Sequence, residues 1–275
     1  AVPYKAPVKD IVFGYEVIDS YNVLNKISAF SDFSEDIVIP TMEECAKFSE
    51  EVLAPINAIG DQQGATIKDG VVTMPEEFVD AYQKFAEAGW ASISLPSDIG
   101  GGGMPITLSG GTLEILSTAN LAFGLAPGLS AGAISAINFH GSQEQKDKFL
   151  PKLVSGEWTG TMNLSEPQSG SDLGTITTKA EPQEDGSYKI TGTKVWITFG
   201  EHNMTENIIH LVLAKVPGSP EGTKGISMFI VPKYIVNDDG SIGDSNNVSC
   251  ISIEEKLGIH ASPTCVMEYD GSVGY

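Results

Sequence analysis

Apolar positions in residues 34–157 recur mostly at helical spacing, whereas from residue 158 onward they come in short runs separated by turn residues. Phe78, Ala81, Tyr82, Phe85 and Ala86 follow one another at intervals of three, one, three and one, which places them on one helical stripe. Ahead of them, Thr73-Met74-Pro75-Glu76 reads as a capping box with proline in the first turn, where its missing N–H costs little. Ser142-Gln143-Glu144-Gln145 repeats that logic, with Phe149, Leu150 and Leu153 as the apolar face and Gly156 as the stop. The nearly uncharged stretch 121–139 predicts a helix apolar all round, suited to the middle of a bundle.

The second half is rich in Val, Ile, Thr and aromatics and reads as β. Asp185-Gly186 between Thr177-Thr178-Lys179-Ala180 and Tyr188-Lys189-Ile190-Thr191 is a hairpin signature, and Gly192-Thr193 leads on into Val195-Trp196-Ile197-Thr198. Further strands are expected at 208–215, 225–232, 248–254 and 264–269. No long helices alternate with them, which disfavours a doubly wound parallel sheet. The expectation is an α+β chain: a helical domain over residues 1–157, then an antiparallel β-barrel domain over 158–275.

Composition narrows the possibilities. With 41% hydrophobic residues the chain can bury a substantial core, and a net charge of -20 repels phosphate backbones and anionic surfaces, arguing against nucleic acid as a partner. Cys45, Cys250 and Cys265 are widely spaced and read as reduced thiols. After Ala1-Val2-Pro3-Tyr4-Lys5 the sequence is broken by Lys9 and Asp10, so no signal-peptide region is expected. No unbroken run of about 18 apolar residues offers a membrane span. The compartment expected by default is the cytoplasm.

Glycine clusters invite phosphate-binding readings. Gly100-Gly101-Gly102-Gly103-Met104-Pro105 has proline where a dinucleotide fingerprint needs its third glycine, and no Gly-x-x-x-x-Gly-Lys-Ser/Thr string exists. Gly128-Leu129-Ser130-Ala131-Gly132 matches the nucleophile elbow of serine hydrolases, a rival in which Ser130 attacks; its small, apolar surroundings read instead as packed helix or loop. His202, His210 and His260 are not spaced as a metal triad and read as structural hydrogen-bonding residues.

The most informative string is Met162-Asn163-Leu164-Ser165-Glu166-Pro167-Gln168-Ser169-Gly170-Ser171-Asp172-Leu173-Gly174: polar, small and irregular, with amides and hydroxyls able to meet an acceptor-rich ligand. Taken with Thr193-Lys194-Val195-Trp196-Ile197-Thr198, it resembles the signature of the acyl-CoA dehydrogenase family. That pattern runs Thr/Ser-Glu-Pro, then Gly-Ser-Asp, then a Gly-x-Lys-x-Trp-Ile-Thr strand. Tyr4-Lys5-Ala6-Pro7-Val8-Lys9-Asp10, Gly200-Glu201-His202 and the segment 206–211 look most like the longer subgroup that includes 3-methylmercaptopropionyl-CoA dehydrogenases.

The resemblance implies a helical N-terminal domain, a β-barrel middle domain and a C-terminal helical bundle that these residues do not contain. It implies FAD held by Met162, Leu164, Ser165, Gly170, Ser171, Trp196, Ile197 and Thr198, with Ser165 near the ring, Trp196 packed beside it and Thr198 near N5. Ser171 would also touch the acyl-CoA. The implied reaction removes an α-proton and passes the β-hydride to flavin, with electrons going on to an electron-transfer flavoprotein; an acyl-CoA oxidase and a silent flavin- or CoA-binding homologue are alternatives. The α-proton needs a carboxylate base. The family's base Glu lies in the bundle, no Glu here matches its motif, and residues 1–275 alone are expected to be inactive. A homodimer or dimer of dimers is the implied assembly. Ser165 stands for the commoner Thr, and Met162 where shorter members often carry an aromatic.

Overall fold

The computed structural model describes residues 3–275, so the first two residues of the N-terminal reading, Ala1 and Val2, lie outside the described residues. Helices occupy Val8–Val17 (α1), Ser20–Leu24 (α2), Glu35–Phe48 (α3) and Ala54–Gln63 (α4), followed by a hairpin of Thr66–Lys68 (β1) and Val71–Thr73 (β2). Then come Glu76–Glu87 (α5), Ile106–Ala119 (α6), Leu121–His140 (α7) and Gln143–Ser155 (α8). The stripe expected on α5 is buried at Phe78, Ala81, Tyr82 and Phe85, which pack with Met42, Leu108 and Phe123 in one core.

Local signals hold where nothing competes for the same atoms. At α8 the Ser142 Oγ accepts from Gln145 N–H at 3.2 Å, Gln145 Oε1 accepts from Ser142 N–H at 2.9 Å, and Gly156 ends the helix at φ 81°. The capping box expected at Thr73 does not form. Thr73 is paired with Thr66 in β2, so its backbone is committed to the hairpin, and Pro75 caps α5 with no side-chain bond. That hairpin, inside a stretch read as helical, turns through Asp69 and Gly70, both at positive φ; Asp-Gly is the signal that would have found it.

The run 121–139 does form a helix, α7, capped by Asn120, whose side chain accepts from Phe123 N–H at 3.1 Å and donates to the Leu53 carbonyl at 3.1 Å. By length and composition α7 would suffice to cross a bilayer, although its apolar residues do not form one unbroken run. It is only partly enclosed: Phe123, Ala126, Ala133, Ile134 and Ile137 are buried, while Leu121 and Phe139 face outward. Its buried side lies so close to the next strand that a Cβ on Gly160 would meet the Ala133 Cβ at 2.5 Å. The glycine run at 100–103 also serves packing. A Cβ on Gly101 would stand 2.2 Å from the Leu95 carbonyl, and the Gly102 and Gly103 amides are spent on Ser92 and Leu95 at 2.8 and 2.9 Å.

The β half comprises Thr159–Asn163 (β3), Lys179–Pro182 (β4), Tyr188–Thr198 (β5), Ile208–Lys215 (β6), Ile226–Pro232 (β7), Tyr234–Val236 (β8), Ile242–Ser245 (β9), Val248–Ile253 (β10) and Thr264–Gly274 (β11). The main sheet runs β10-β11-β5-β4-β6-β3, with β7 also on β6. It curls on itself until Tyr275 and Ile230 exchange both backbone bonds at 3.0 Å. Most pairs are antiparallel as expected, but β3 runs parallel to β6, a pairing made available by the long excursion through β4 and β5 that separates them. The last strand continues past the expected 269 to Gly274.

Candidate functional site

Two segments meet where β5 passes the loop that follows β3. On β5 the register with β11 slips between Lys194↔Met267 and Ile197↔Cys265, so β5 carries one extra residue there. The bulge puts Trp196 at φ 60°. A bulky side chain rarely sits in that left-handed region, and the cost is of order 1–3 kcal/mol. The bulge turns the indole outward: Trp196 is 58% exposed, while Val195 and Ile197 on either side are buried. The ring lies against the loop, since a Cβ on Gly170 would stand 3.8 Å from its Cζ3.

The loop itself is tightly folded. Glu166 and Ser169 exchange backbone bonds at 2.7 and 2.9 Å, the Ser169 Oγ donates to the Asp172 carbonyl at 2.6 Å, and Asp172 Oδ1 accepts from Gly174 N–H at 2.9 Å. It is fixed to β5 by Val195 N–H, which donates to the Ser165 carbonyl at 2.9 Å. The expectation of freely available amides therefore holds only in part. Among the described residues the Gly170 and Ser171 amides donate to nothing in the chain, and no intramolecular bond engages the hydroxyls of Ser165, Ser171 or Thr198.

The eight expected cofactor positions are thus not equivalent. Ser165, Gly170, Ser171, Trp196 and Thr198 offer free polar groups or an exposed ring along one surface. Ile197 is buried in the sheet core with Val212 and Cys265, leaving only its backbone. Met162 lies on β3 and packs against the core cluster of Leu153 and Ile230. The Leu164 carbonyl accepts from Lys194 Nζ at 2.9 Å.

Next to this surface two residues of the motif, Glu166 and Lys194, form an ion pair. Lys194 and Glu166 are 0% and 2% exposed, and Nζ donates to Glu166 Oε1 at 2.9 Å. That oxygen also accepts from the Thr178 amide at 3.0 Å and from the Thr178 hydroxyl; the other accepts from the Thr177 amide and hydroxyl at 2.7 and 2.9 Å and from Gln168 Nε2 at 2.8 Å. Burial alone would push the Glu166 carboxyl up, but the bonds from Thr178, Thr177 and Lys194 outweigh it and hold it at about 2. Burial lowers the Lys194 ammonium, with Glu166 opposing. The only local signal was a lysine abutting the apolar run Val195-Trp196-Ile197 on β5, where a buried ammonium demands a partner.

Along β3 the polar groups are mostly spent internally, although His210 Nε2 is buried without a hydrogen-bond partner. The Thr159 hydroxyl and His202 Nε2 are 2.9 Å apart, the Thr161 hydroxyl and His210 Nδ1 are 2.6 Å apart, and Tyr269 donates to Asn163 Oδ1 at 2.7 Å. Both imidazoles are buried and pushed down to about 3, first by desolvation and then by the nearby Lys233 charge. No cluster of metal-binding side chains occurs among the described residues. Ser130 sits inside α7 rather than on a strand-to-helix turn, and its Oγ accepts from Gly160 N–H at 3.0 Å. The hydrolase alternative fails on that geometry, because an elbow nucleophile must stand exposed on a sharp turn.

Comparison with known proteins identifies the family of the chain. The family model for "Acyl-CoA dehydrogenase, N-terminal domain" matches residues 40–157, and the one for "Acyl-CoA dehydrogenase, middle domain" matches residues 161–272. The chain belongs to the acyl-CoA dehydrogenase family. It is 45% identical to a 3-methylmercaptopropionyl-CoA dehydrogenase of Ruegeria pomeroyi over 99% of this chain and 46% of that protein. It is 38% identical to a butyryl-CoA dehydrogenase of Syntrophomonas wolfei over 97% of this chain and 44% of that protein. The chain thus spans less than half the length of these curated relatives. Among solved structures, an acyl-CoA dehydrogenase from Bacillus anthracis complexed with FAD superposes with a TM-score of 0.69 at 26% identity, covering 88% of this chain and 37% of that one.

Proposed function

We propose that these residues form the flavin-binding part of an FAD-dependent dehydrogenase that introduces a double bond between the α- and β-carbons of an acyl-CoA thioester. The observation that carries the reading is Trp196, held outward at positive φ beside a loop whose Ser165 and Ser171 hydroxyls have no partner in the chain. Strain at a bulky residue together with unspent donors fits a ligand that the site is preformed to receive. The donor set suits FAD: amides and hydroxyls for the flavin's polar edge and phosphates, and an aromatic face for its ring. Relatives of this chain act on acyl-CoA thioesters or were crystallised with FAD, which supports the same choice.

In this reading Ser165, Gly170, Ser171, Trp196 and Thr198 hold the cofactor, with Leu164 and Ile197 contributing backbone and Met162 supporting β3 from the core. Ser171, exposed at the loop tip, also faces the acyl-CoA. FAD when bound supplies the acceptor for the hydride lost from the substrate's β-carbon. The Thr198 hydroxyl donates a hydrogen bond where negative charge develops, and Trp196 keeps water off that face. Glu166 does not serve as the α-proton base: a carboxylate held at about 2 and saturated with donors is too weakly basic. We assign the base to none of these residues. The substrate is 3-methylmercaptopropionyl-CoA or a fatty acyl-CoA, the electron acceptor an electron-transfer flavoprotein, and the assembly a homodimer or dimer of dimers. The division into a helical domain over 1–157 and a β domain over 158–275 is part of the same proposal.

The test is spectroscopic. The purified protein, supplied with FAD, should show flavin absorption that survives desalting, and Ser130 should resist a fluorophosphonate. A protein that retains no flavin sinks the proposal.

A further inference from the structure

The buried pair of Glu166 and Lys194 adjoins the proposed flavin surface, next to Ser165 in the loop and ahead of Trp196 on β5, and its bonds join that loop to β5 and to the segment ahead of β4. Resting on the reading of the site given above, we infer that this pair is a positioning device that fixes the Ser165 loop and the Trp196 bulge relative to each other, and so sets the geometry of flavin binding without touching the flavin.

Three chain segments meet in it. Lys194 Nζ reaches the Leu164 carbonyl and Glu166 Oε1, both at 2.9 Å, so one ammonium clamps both neighbours of Ser165. Lys194 is also the last in-register residue of β5 before the bulge that turns Trp196 outward. The carboxylate, for its part, gathers the Thr177 and Thr178 amides ahead of β4. Shifting the loop by one residue against β5 would strand a buried charge. The arrangement therefore admits one register, where apolar packing would tolerate several.

Stability alone does not account for the pair. Removing two charges from water is costly, and well-packed apolar side chains of similar volume commonly serve a core as well or better. What they do not provide is a directional bond to the Leu164 carbonyl, and that carbonyl belongs to the residue before the free Ser165 hydroxyl. The cost is placed where two ligand-facing segments must be held in a fixed relation.

The experiment compares wild type with Lys194→Met and the charge-neutral double variant Glu166→Gln/Lys194→Met, reading three quantities: thermal midpoint, FAD dissociation constant and the visible circular dichroism of bound flavin. Lys194→Met leaves an unpaired buried carboxylate and should lower the midpoint; the double variant should regain most of that loss. FAD affinity should nevertheless fall by about tenfold or more in the double variant, the order expected for one lost charge-assisted hydrogen bond. The flavin dichroism should change in sign or intensity because the ring sits in altered surroundings. If Lys194→Met does not fold, the double variant carries the test alone. A double variant with wild-type affinity and dichroism overturns the inference and leaves the pair a purely structural one. Wild type that takes up no FAD overturns the reading of the site and this inference with it.

Discussion

Two sets of polar residues flank the same few strands and are used in opposite ways. On the β3 side, Thr159, Thr161, His202 and His210 are buried and pair with one another. On the β5 side, Ser165, Ser171 and Thr198 lie half-buried or exposed with their hydroxyls free, next to a tryptophan in an unfavourable backbone conformation. The sequence pattern already sorts them this way, His202 and His210 as structural candidates and Ser165, Ser171 and Thr198 as ligand candidates. What separates the two sets is how far they are satisfied: in the first only His210 Nε2 is left without a partner, whereas in the second all three hydroxyls are free. Polar groups that complete each other's bonds hold the fold, and those left without partners where strain also accumulates are kept for a ligand.

The largest expected effect tests the first set. His202 and His210 are held near 3 in the folded chain, well below the ordinary 6.5. Between those values the unfolded chain binds protons that the folded one refuses, so stability falls as pH drops below about 6.5 and the loss levels off only near 3. Each histidine should contribute a slope approaching ~1.4 kcal/mol per pH unit, or about 5 kcal/mol for both between pH 6.5 and 4.5. Urea denaturation across that range measures the slope, and His210→Gln should cut the histidine part by half. A stability independent of pH from 6.5 to 5 would mean that neither imidazole is held below its ordinary value, and the buried side of the comparison would lose its basis.

A smaller effect tests the second set. Thr198→Val keeps shape and removes one free hydroxyl. In FAD-loaded protein competent for turnover, which residues 1–275 alone are not expected to be, it should slow flavin reduction by about one to two decades, ~1–3 kcal/mol, while changing substrate affinity little, because the bond strengthens as charge develops. Stopped-flow reduction by an acyl-CoA reads both. An unchanged reduction rate would remove Thr198 from the reacting end of the site.

Much of the fold was legible because its signals are local and uncontested. The α5 stripe, the Ser142 box and the Asp185-Gly186 hairpin each depend on residues within a few positions. What escaped depends on competition or distance. Thr73 could not cap a helix while paired in β2, and the parallel β3–β6 pairing joins segments that no local pattern relates. The site divided along the same line. Its exposed residues stood in the motif, whereas the Glu166–Lys194 pair was invisible as a pair, because the two are 28 residues apart and meet only through the curl of the sheet. The positive φ at Trp196 follows from a register slip against β11, a property of two strands that one strand's sequence does not encode.

That backbone strain yields the smallest prediction and the one that isolates conformation from contact. Trp196 is mostly exposed, so truncating it loses little burial, and alanine and glycine at this position delete nearly the same side chain. In an ordinary extended or helical site alanine is the more stable choice by roughly 0.5–1 kcal/mol, because glycine loses more freedom on folding. At φ 60° the order should reverse. Alanine keeps a Cβ that crowds the following carbonyl in the left-handed region, at about 1–2 kcal/mol, whereas glycine enters that region freely. The two contributions oppose each other, leaving Trp196→Gly more stable than Trp196→Ala by up to ~1 kcal/mol. Both variants should weaken FAD binding alike, since both lose the ring, so a stability difference without an affinity difference is the signature sought. Chemical denaturation of the two FAD-free variants decides the first half and flavin titration the second. If Trp196→Ala proves the more stable, the bulge relaxes once the indole is gone. The tryptophan would then be holding its own backbone in place, and the preformed site would depend on that ring rather than on the strand beneath it.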